Sequence, residues 1–376
     1  MGTQAAVIPL FYPVRLPEME DAALSVLQSG QIAAGPNVAQ FENEFGLLVG
    51  SDHVVTTSDM TSALVLALRL AGVQPGDEVA TLAFSCLSSN SAISISQARA
   101  VWVDLDPETM SMCPQDLARK LGSTVKAVAL YHVAGYPANT DEIATICRAR
   151  GIPLIEDCNN ALGATLHGQP VGQAGDFAVY SFYPNRQING LEGGALVCPD
   201  VQTAQHARKL RRFGIDFSTF RDARGEINPD SDVPELGISA VFSQLNATVA
   251  ISQLPTLAAR QQRTKQNAAR LGELLEGTAG IRLVNTVPGG SPAYWGLLLY
   301  VERRDQVLAA LKSNGIQCSV LHQPNDTYSG FHSLPVDMPG TGYVLDHLLA
   351  LPCGWWLDDD QITHIVNAVR HACQLR

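Results

Sequence analysis

The residues of this chain best equipped for chemistry fall in three short segments. Pro153-Leu154-Ile155-Glu156-Asp157 reads as a buried strand that ends in a carboxylate. In a parallel sheet the carboxyl ends of the strands face the ligand. Asp157 is therefore placed either to meet a cationic ring nitrogen or simply to cap the loop that follows. Ser58-Asp59-Met60-Thr61-Ser62-Ala63-Leu64 opens an apolar helix. The free N–H groups and dipole of a helix start suit a phosphate, and Thr61 and Ser62 add hydroxyls; an N-cap by Ser58 or Asp59 is the plainer alternative. The third segment runs from Ala178 to Gly194. A strand ends at Ser181, a loop carries Tyr183 and Arg186, and Glu192-Gly193-Gly194 leads into another strand. Taken alone, it is a loop whose glycines serve the turn.

These segments need a frame to hold them. From about residue 50 to 200, short apolar or β-branched runs (77–82, 100–103, 127–131, 153–155) alternate with helical patterns such as Thr140 to Arg150, where Ile143, Ile146 and Cys147 share a face. That rhythm predicts an α/β fold with a largely parallel sheet and helices on both faces. After Gly214 the rhythm stops, and residues 216–236 read as a long polar excursion. Residues 243–278 read as helical with Pro255 interrupting. Beyond them 282–284, 297–301 and 317–321 read as strands. Asp358-Asp359-Asp360 starts a last helix with Ile362, Ile365, Val366 and Val369 on one face.

Composition narrows the function. The 376 residues are 46% hydrophobic and 16% charged, enough apolar material for more than one core. A net charge of −11 argues against nucleic acid and anionic membranes as partners. Met1-Gly2-Thr3-Gln4 offers no basic leader, and no apolar run is long enough to span a bilayer, so the expected location is cytoplasmic. The eight cysteines form no C-x-x-C pair and no cluster with histidine, so no metal site is expected and reduced, buried thiols are.

In this order the three segments resemble the sugar aminotransferase (DegT/StrS) family of fold-type I pyridoxal phosphate (PLP) enzymes. The similarity spans nearly the whole chain: Ile8-Pro9-Leu10, Gly35-Pro36, Gly76-Asp77-Glu78-Val79, Val103-Asp104-Leu105-Asp106, His132-Val133-Ala134-Gly135, Ile155-Glu156-Asp157, Ala161-Leu162-Gly163-Ala164, Ser181-Phe182, Glu192-Gly193-Gly194, Asn246-Ala247 and Leu351-Pro352. The resemblance implies a large domain over residues 1–240 and a smaller α+β domain over 241–376. It implies that Asp157 meets the pyridinium nitrogen, that Thr61 and Ser181 hold the phosphate, and that Asn160 lies near the ring. Four positions depart from the family pattern. Met60 replaces the glycine before the phosphate-loop threonine, and Cys86 replaces the aromatic that stacks on the ring. Ser239 replaces the asparagine that reaches the partner subunit's phosphate. Arg186 stands where Ser-Phe-x-x-x-Lys places the Schiff-base lysine.

A guanidinium keeps its charge at neutral pH and forms no imine, so ordinary transamination is not expected. The resemblance then implies PLP or pyridoxamine phosphate (PMP) held non-covalently if held at all, and a small-molecule substrate, a keto-sugar, nucleotide-linked or free, or a related ketone. It also implies a dimer, homo- or hetero-. Arg186 is read as an anion holder, and His132 and Tyr183 as candidates to move the proton. Two other readings stand beside this one. The first is a non-catalytic subunit supporting a lysine-bearing paralogue, and the second a lysine-independent enzyme with a different ligand in the old pocket.

Overall fold

A computed structural model describes residues 7–374; Met1 to Gln4, read above for a leader, lie outside the described residues. Seven strands form the central sheet: β1 (Val54–Thr57), β2 (Glu78–Leu82), β3 (Arg99–Val103), β4 (Val125–Tyr131), β5 (Leu154–Asp157), β6 (Phe177–Ser181) and β7 (Gly194–Val197). Their order is β1-β7-β6-β5-β4-β2-β3. Every neighbouring pair is parallel except the two that involve β7, which runs against both β1 and β6. The expected parallel sheet is thus present, with one reversed strand fed by the loop that carries Arg186.

Helices cover both faces. In chain order they are α1 (Pro17–Ser29), α2 (Pro36–Val49), α3 (Met60–Leu70), α4 (Leu87–Ile95), α5 (Pro114–Lys120), α6 (Thr140–Arg150), α7 (Val201–Leu210), α8 (Gln244–Ile251), α9 (Leu254–Leu275), α10 (Arg304–Ser313), α11 (Pro339–His347) and α12 (Asp359–Gln374). Alternate residues of one strand enter opposite layers, as a pleat requires. Val79, Ala127, Ile155 and Val179 pack with Ala63, Leu64 and Ala67 of α3. Ala80, Val128 and Leu154 pack with Ile143 and Cys147 of α6. Burial on both sides is why these strands read as continuous apolar runs.

A second, antiparallel sheet joins β8 (Ile281–Leu283), β9 (Leu297–Val301) and β10 (Leu348–Leu351). Its core includes Ile362, Ile365, Val366 and Val369 of α12, the face expected from the sequence. Pro255 sits in the first turn of α9, where its missing N–H costs nothing, so the interruption is a boundary between α8 and α9. Residues 317–321 are not a strand: Ser319 alone bridges to Ala350 on the outer edge of β10, and the pairing does not extend further along the segment. No helix among the described residues is long and apolar enough to cross a membrane.

Glu42 of α2 ties the edge of the sheet to its surroundings. Its buried carboxylate accepts from the N–H and hydroxyl of Thr56 on β1, both at 2.9 Å, and pairs with Arg211 at 2.6 Å and Arg208 at 3.1 Å. Burial alone would raise its pKa; the two arginines and the Thr56 N–H more than offset that and hold it below the ordinary 4.5. β1 leads directly into α3, so this cluster fixes the start of that helix. A folded-state pKa below the unfolded value contributes stability above pH 4.5 that is lost as pH falls through the lower value. Glu42→Ala strands Arg211 and is expected to cost about 3–5 kcal/mol in urea unfolding at pH 7. The difference from the parent chain should shrink below pH 4.5.

Candidate active site

The carboxyl ends of β2, β4, β5 and β6 meet around Asp157. Its carboxylate, buried at the end of β5, accepts from Ser89 Oγ of α4 at 2.5 Å and from the N–H and side-chain amide of Asn159 at 3.1 and 2.9 Å. Burial raises its pKa, against the opposing pull of these donors. Its neighbour on the strand, Glu156, points the other way. Burial would raise Glu156 too, but His132 and the N–H groups of Gly172, Ala174 and Gly175 hold it low.

That arrangement corrects the reading of His132 as a proton carrier. Its ring is fully buried, one nitrogen meets Glu156 at 3.0 Å, and the other accepts from Ala138 N–H at 3.0 Å. His132 is a clip on the far side of the sheet. His132, Glu156 and Cys158 bring their ligand atoms within 4.8 Å of one another, but the Glu156 oxygens are already taken up by N–H groups. Tyr183 is exposed, with its ring turned to solvent.

The imidazole that does face the site is His322, in the loop after Ser319. Tyr131, at the end of β4, accepts from Asn160 Nδ2 at 2.8 Å and from Ala134 N–H at 3.3 Å, which leaves its own proton for His322 Nε2 at 3.3 Å. Burial and then the charge of Arg186 push His322 down to about 4, so the ring is neutral at pH 7. Nothing in the spacing around His322 or Ser89 marks them in the sequence; both reach the site from distant chain segments.

Arg186 lies in the β6–β7 loop. Its guanidinium donates to Asn185 Oδ1 at 2.7 Å and stands 4.9 Å over the Trp295 ring, while its Nε is sealed from solvent without a partner. Tyr131, Cys86 and Asp157 are close enough to act on its charge, and burial lowers its pKa. The loop is clamped rather than loose. Gln187 Nε2 donates to Asn160 O at 2.8 Å, Arg260 to Gln187 O at 2.8 Å, and Gln253 Nε2 to Asn189 O at 2.6 Å. Gly193, at φ 143°, leaves no room for a β-carbon against the Phe242 ring. At Gly194 an added β-carbon would lie 2.7 Å from Met60 Cα, so only glycine lets β7 touch the start of α3.

At that start, Asp59 caps the helix by accepting from Ser62 N–H at 2.8 Å, as the simpler sequence reading had it. The N–H groups of Met60 and Thr61 find no hydrogen-bond partner. The Met60 side chain is buried in the apolar layer and contributes only its backbone here. Thr61 Oγ1 holds a 3.5 Å contact to Ser88 O, and Ser181 Oγ accepts from Tyr183 N–H at 3.3 Å. Cys86 is half-buried, caps α4 and accepts from Ser88 Oγ at 3.2 Å. Asn160 keeps its side-chain oxygen buried and unpartnered, as do Asn159 and the Ser85 hydroxyl. Ser239 is apart from all of these: it is exposed and bridged to Arg212.

Among the described residues seven buried side-chain atoms are left without partners, and four of them belong to Ser85, Asn159, Asn160 and Arg186, all at the carboxyl edge of the sheet. Buried polar atoms are normally satisfied, so their concentration marks a place for a polar ligand.

Comparison with known proteins identifies the family. Residues 16–370 match the model of the DegT/DnrJ/EryC1/StrS aminotransferase family. The chain is 30% identical to a dTDP-4-dehydro-2,3,6-trideoxy-D-glucose 4-aminotransferase of Saccharopolyspora spinosa, over 98% of this chain and 97% of that one. It superposes on the sugar aminotransferase CalS13 from Micromonospora echinospora with a TM-score of 0.91 at 31% identity, covering 97% of this chain and 99% of that one. AtS13 from Actinomadura melliaura gives 0.92 at 31%, covering 98% and 100%. The chain therefore belongs to the DegT/DnrJ/EryC1/StrS aminotransferase family, with the fold-type I architecture of sugar aminotransferase-like enzymes that depend on PLP or PMP.

Proposed function

We propose that this chain binds the aminated cofactor, PMP, without a covalent bond and presents it to a keto-sugar, Arg186 standing where its relatives have the Schiff-base lysine. The observation that supports the reading is the half-buried guanidinium of Arg186, acted on by Tyr131, Cys86 and Asp157 and with no acid in contact.

The residues fit the group. Asp157 is a buried carboxylate able to pair with a protonated ring nitrogen, which would also offset the burial that raises its pKa. The unpartnered N–H groups of Met60 and Thr61, with the hydroxyls of Thr61 and Ser181, suit a phosphate. The open oxygens of Asn159 and Asn160 suit polar ring substituents. When bound, PMP supplies an amino group and an electron sink. The protein's share is then positional and electrostatic. Arg186 holds an anionic group, and its stack on Trp295 and the clamped loop keep it in place. His322, neutral and bonded to Tyr131, is the imidazole placed to take up a proton, with the Tyr131 hydroxyl relaying it. An anion paired with Arg186 reduces the positive charge facing His322 and so raises its basicity.

Absorbance titration with PLP and PMP, followed by borohydride reduction and intact mass, tests the reading. PMP binding is expected with no added pyridoxyl mass; Arg186→Lys treated with PLP should gain one that maps to residue 186. If neither form binds either protein, the cofactor reading fails, and the alternative of a non-catalytic subunit takes its place. The electrostatics has its own readout. By NMR the His322 ring should titrate near 4, and Arg186→Gln should move the midpoint upward because a like charge is removed. A midpoint that does not move would mean the guanidinium does not face the imidazole.

A further inference from the structure

Arg186 also lines a cavity bounded by the N-terminal segment, α9 and the loop after β10. Tyr12, Trp295, Trp355 and Trp356 form aromatic walls, and Arg260 of α9 enters from below. Arg260 is buried, yet its donors go only to neutral oxygens: Thr256 Oγ1 at 3.2 Å, Gln187 O at 2.8 Å and Gln253 O at 3.3 Å. Burial is the sole influence on its pKa, which falls to about 10. Among the described residues neither Arg186 nor Arg260 is in an ion pair, and Asp157 reaches Arg186 only through space. The two guanidiniums lie against tryptophan rings, Arg186 on Trp295 at 4.9 Å and Arg260 on Trp355 at 5.9 Å. The indole N–H of Trp356 is sealed from solvent and has no acceptor.

Arg260, buried, and Arg186, half-buried, carry their charges without a carboxylate, and with the unanswered indole donor they are costly to maintain in an aromatic cavity. What they lack in common is an anion with acceptor oxygens. A flat carboxylate matches the planar edge of a guanidinium already stacked on an indole, and can use its second oxygen for one further N–H. The remaining walls are apolar faces wide enough to lie against a sugar ring.

We propose that this cavity binds the carboxylate of an acidic sugar, a uronic-acid-type ring, through Arg186 and the Trp356 N–H, with the tryptophan faces packing on the ring. The sugar part rests on the keto-sugar reading above; the carboxylate rests on the uncompensated cations. Arg186 then serves substrate recognition, with its charge shared between this cavity and the edge of the cofactor site. Arg260 adds positive field while anchoring the β6–β7 loop.

Three of the chain's four tryptophans line the cavity, so their fluorescence reports on it directly. The purified full-length chain is titrated with D-glucuronate, D-glucose and inorganic phosphate. Glucuronate should give a saturable change, with glucose and phosphate at least about tenfold weaker. Arg186→Gln and Trp356→Phe should each weaken glucuronate by roughly five- to tenfold, and Arg186→Lys should recover part of the loss. Glucose or phosphate binding as tightly as glucuronate overturns the proposal. So does the absence of a saturable response, or unchanged affinity in both variants. Should Arg186→Gln not fold, Trp356→Phe decides alone, since its N–H bonds nothing in the protein. Absorbance titration with PMP on the same samples keeps the two readings apart: lost PMP binding with an intact glucuronate response sinks only the first, and the converse sinks only this one.

Discussion

A guanidinium partly withdrawn from water without a carboxylate beside it must be stabilised by its surroundings or by what it binds, and much of this molecule answers that requirement at Arg186. The Trp295 ring lies under the charge, Asn185 accepts one N–H, and Asp157 and the Tyr131 hydroxyl act on it across the pocket. These contacts are weaker than a direct ion pair in the same place. The clamped β6–β7 loop keeps the charge from swinging out to solvent. Gly193 and Gly194 in turn let that loop pack between Phe242 and the start of α3. The loop geometry, the reversed strand β7 and the helix start are thus one mechanical unit.

The same charge divides the two histidines that flank the sheet end. His132 is bound to Glu156 behind the strand and serves to hold the Ala138 and Gly172 to Gly175 backbone. His322 is kept neutral by burial first and by the charge of Arg186 second. Two imidazoles near one strand end therefore have opposite consequences: one stabilises the frame, and the other is available to a ligand. Glu156 and Asp157 show the same division along the backbone, because successive residues of a strand point to opposite faces.

Family membership sets the architecture and the chemistry that relatives perform, while the departures decide what this chain does with them. Asp157 closes β5 as a buried carboxylate, and the N–H groups at the start of α3 are open although Met60 buries its side chain in the core. Arg186 changes more, because its charge cannot be discharged by a proton shift. On the reading proposed above, that favours recognition of anions over covalent capture.

The alternation of apolar runs and helical patterns, the carboxylate closing β5, the Asp59 cap and the apolar face of α12 were all legible in the chain, because each depends on neighbours a few residues away. The convergence of Arg186 with His322, Tyr131, Trp356 and Arg260 was not, since these lie on separate elements and meet only when the sheet and α9 are packed. Nor could spacing tell that His132 is locked behind the sheet, or that 317–321 meets the edge of β10 at Ser319 alone. Those outcomes depend on which face of an element meets which neighbour, and burial, pKa and unpaired donors are set by that packing rather than by residue type.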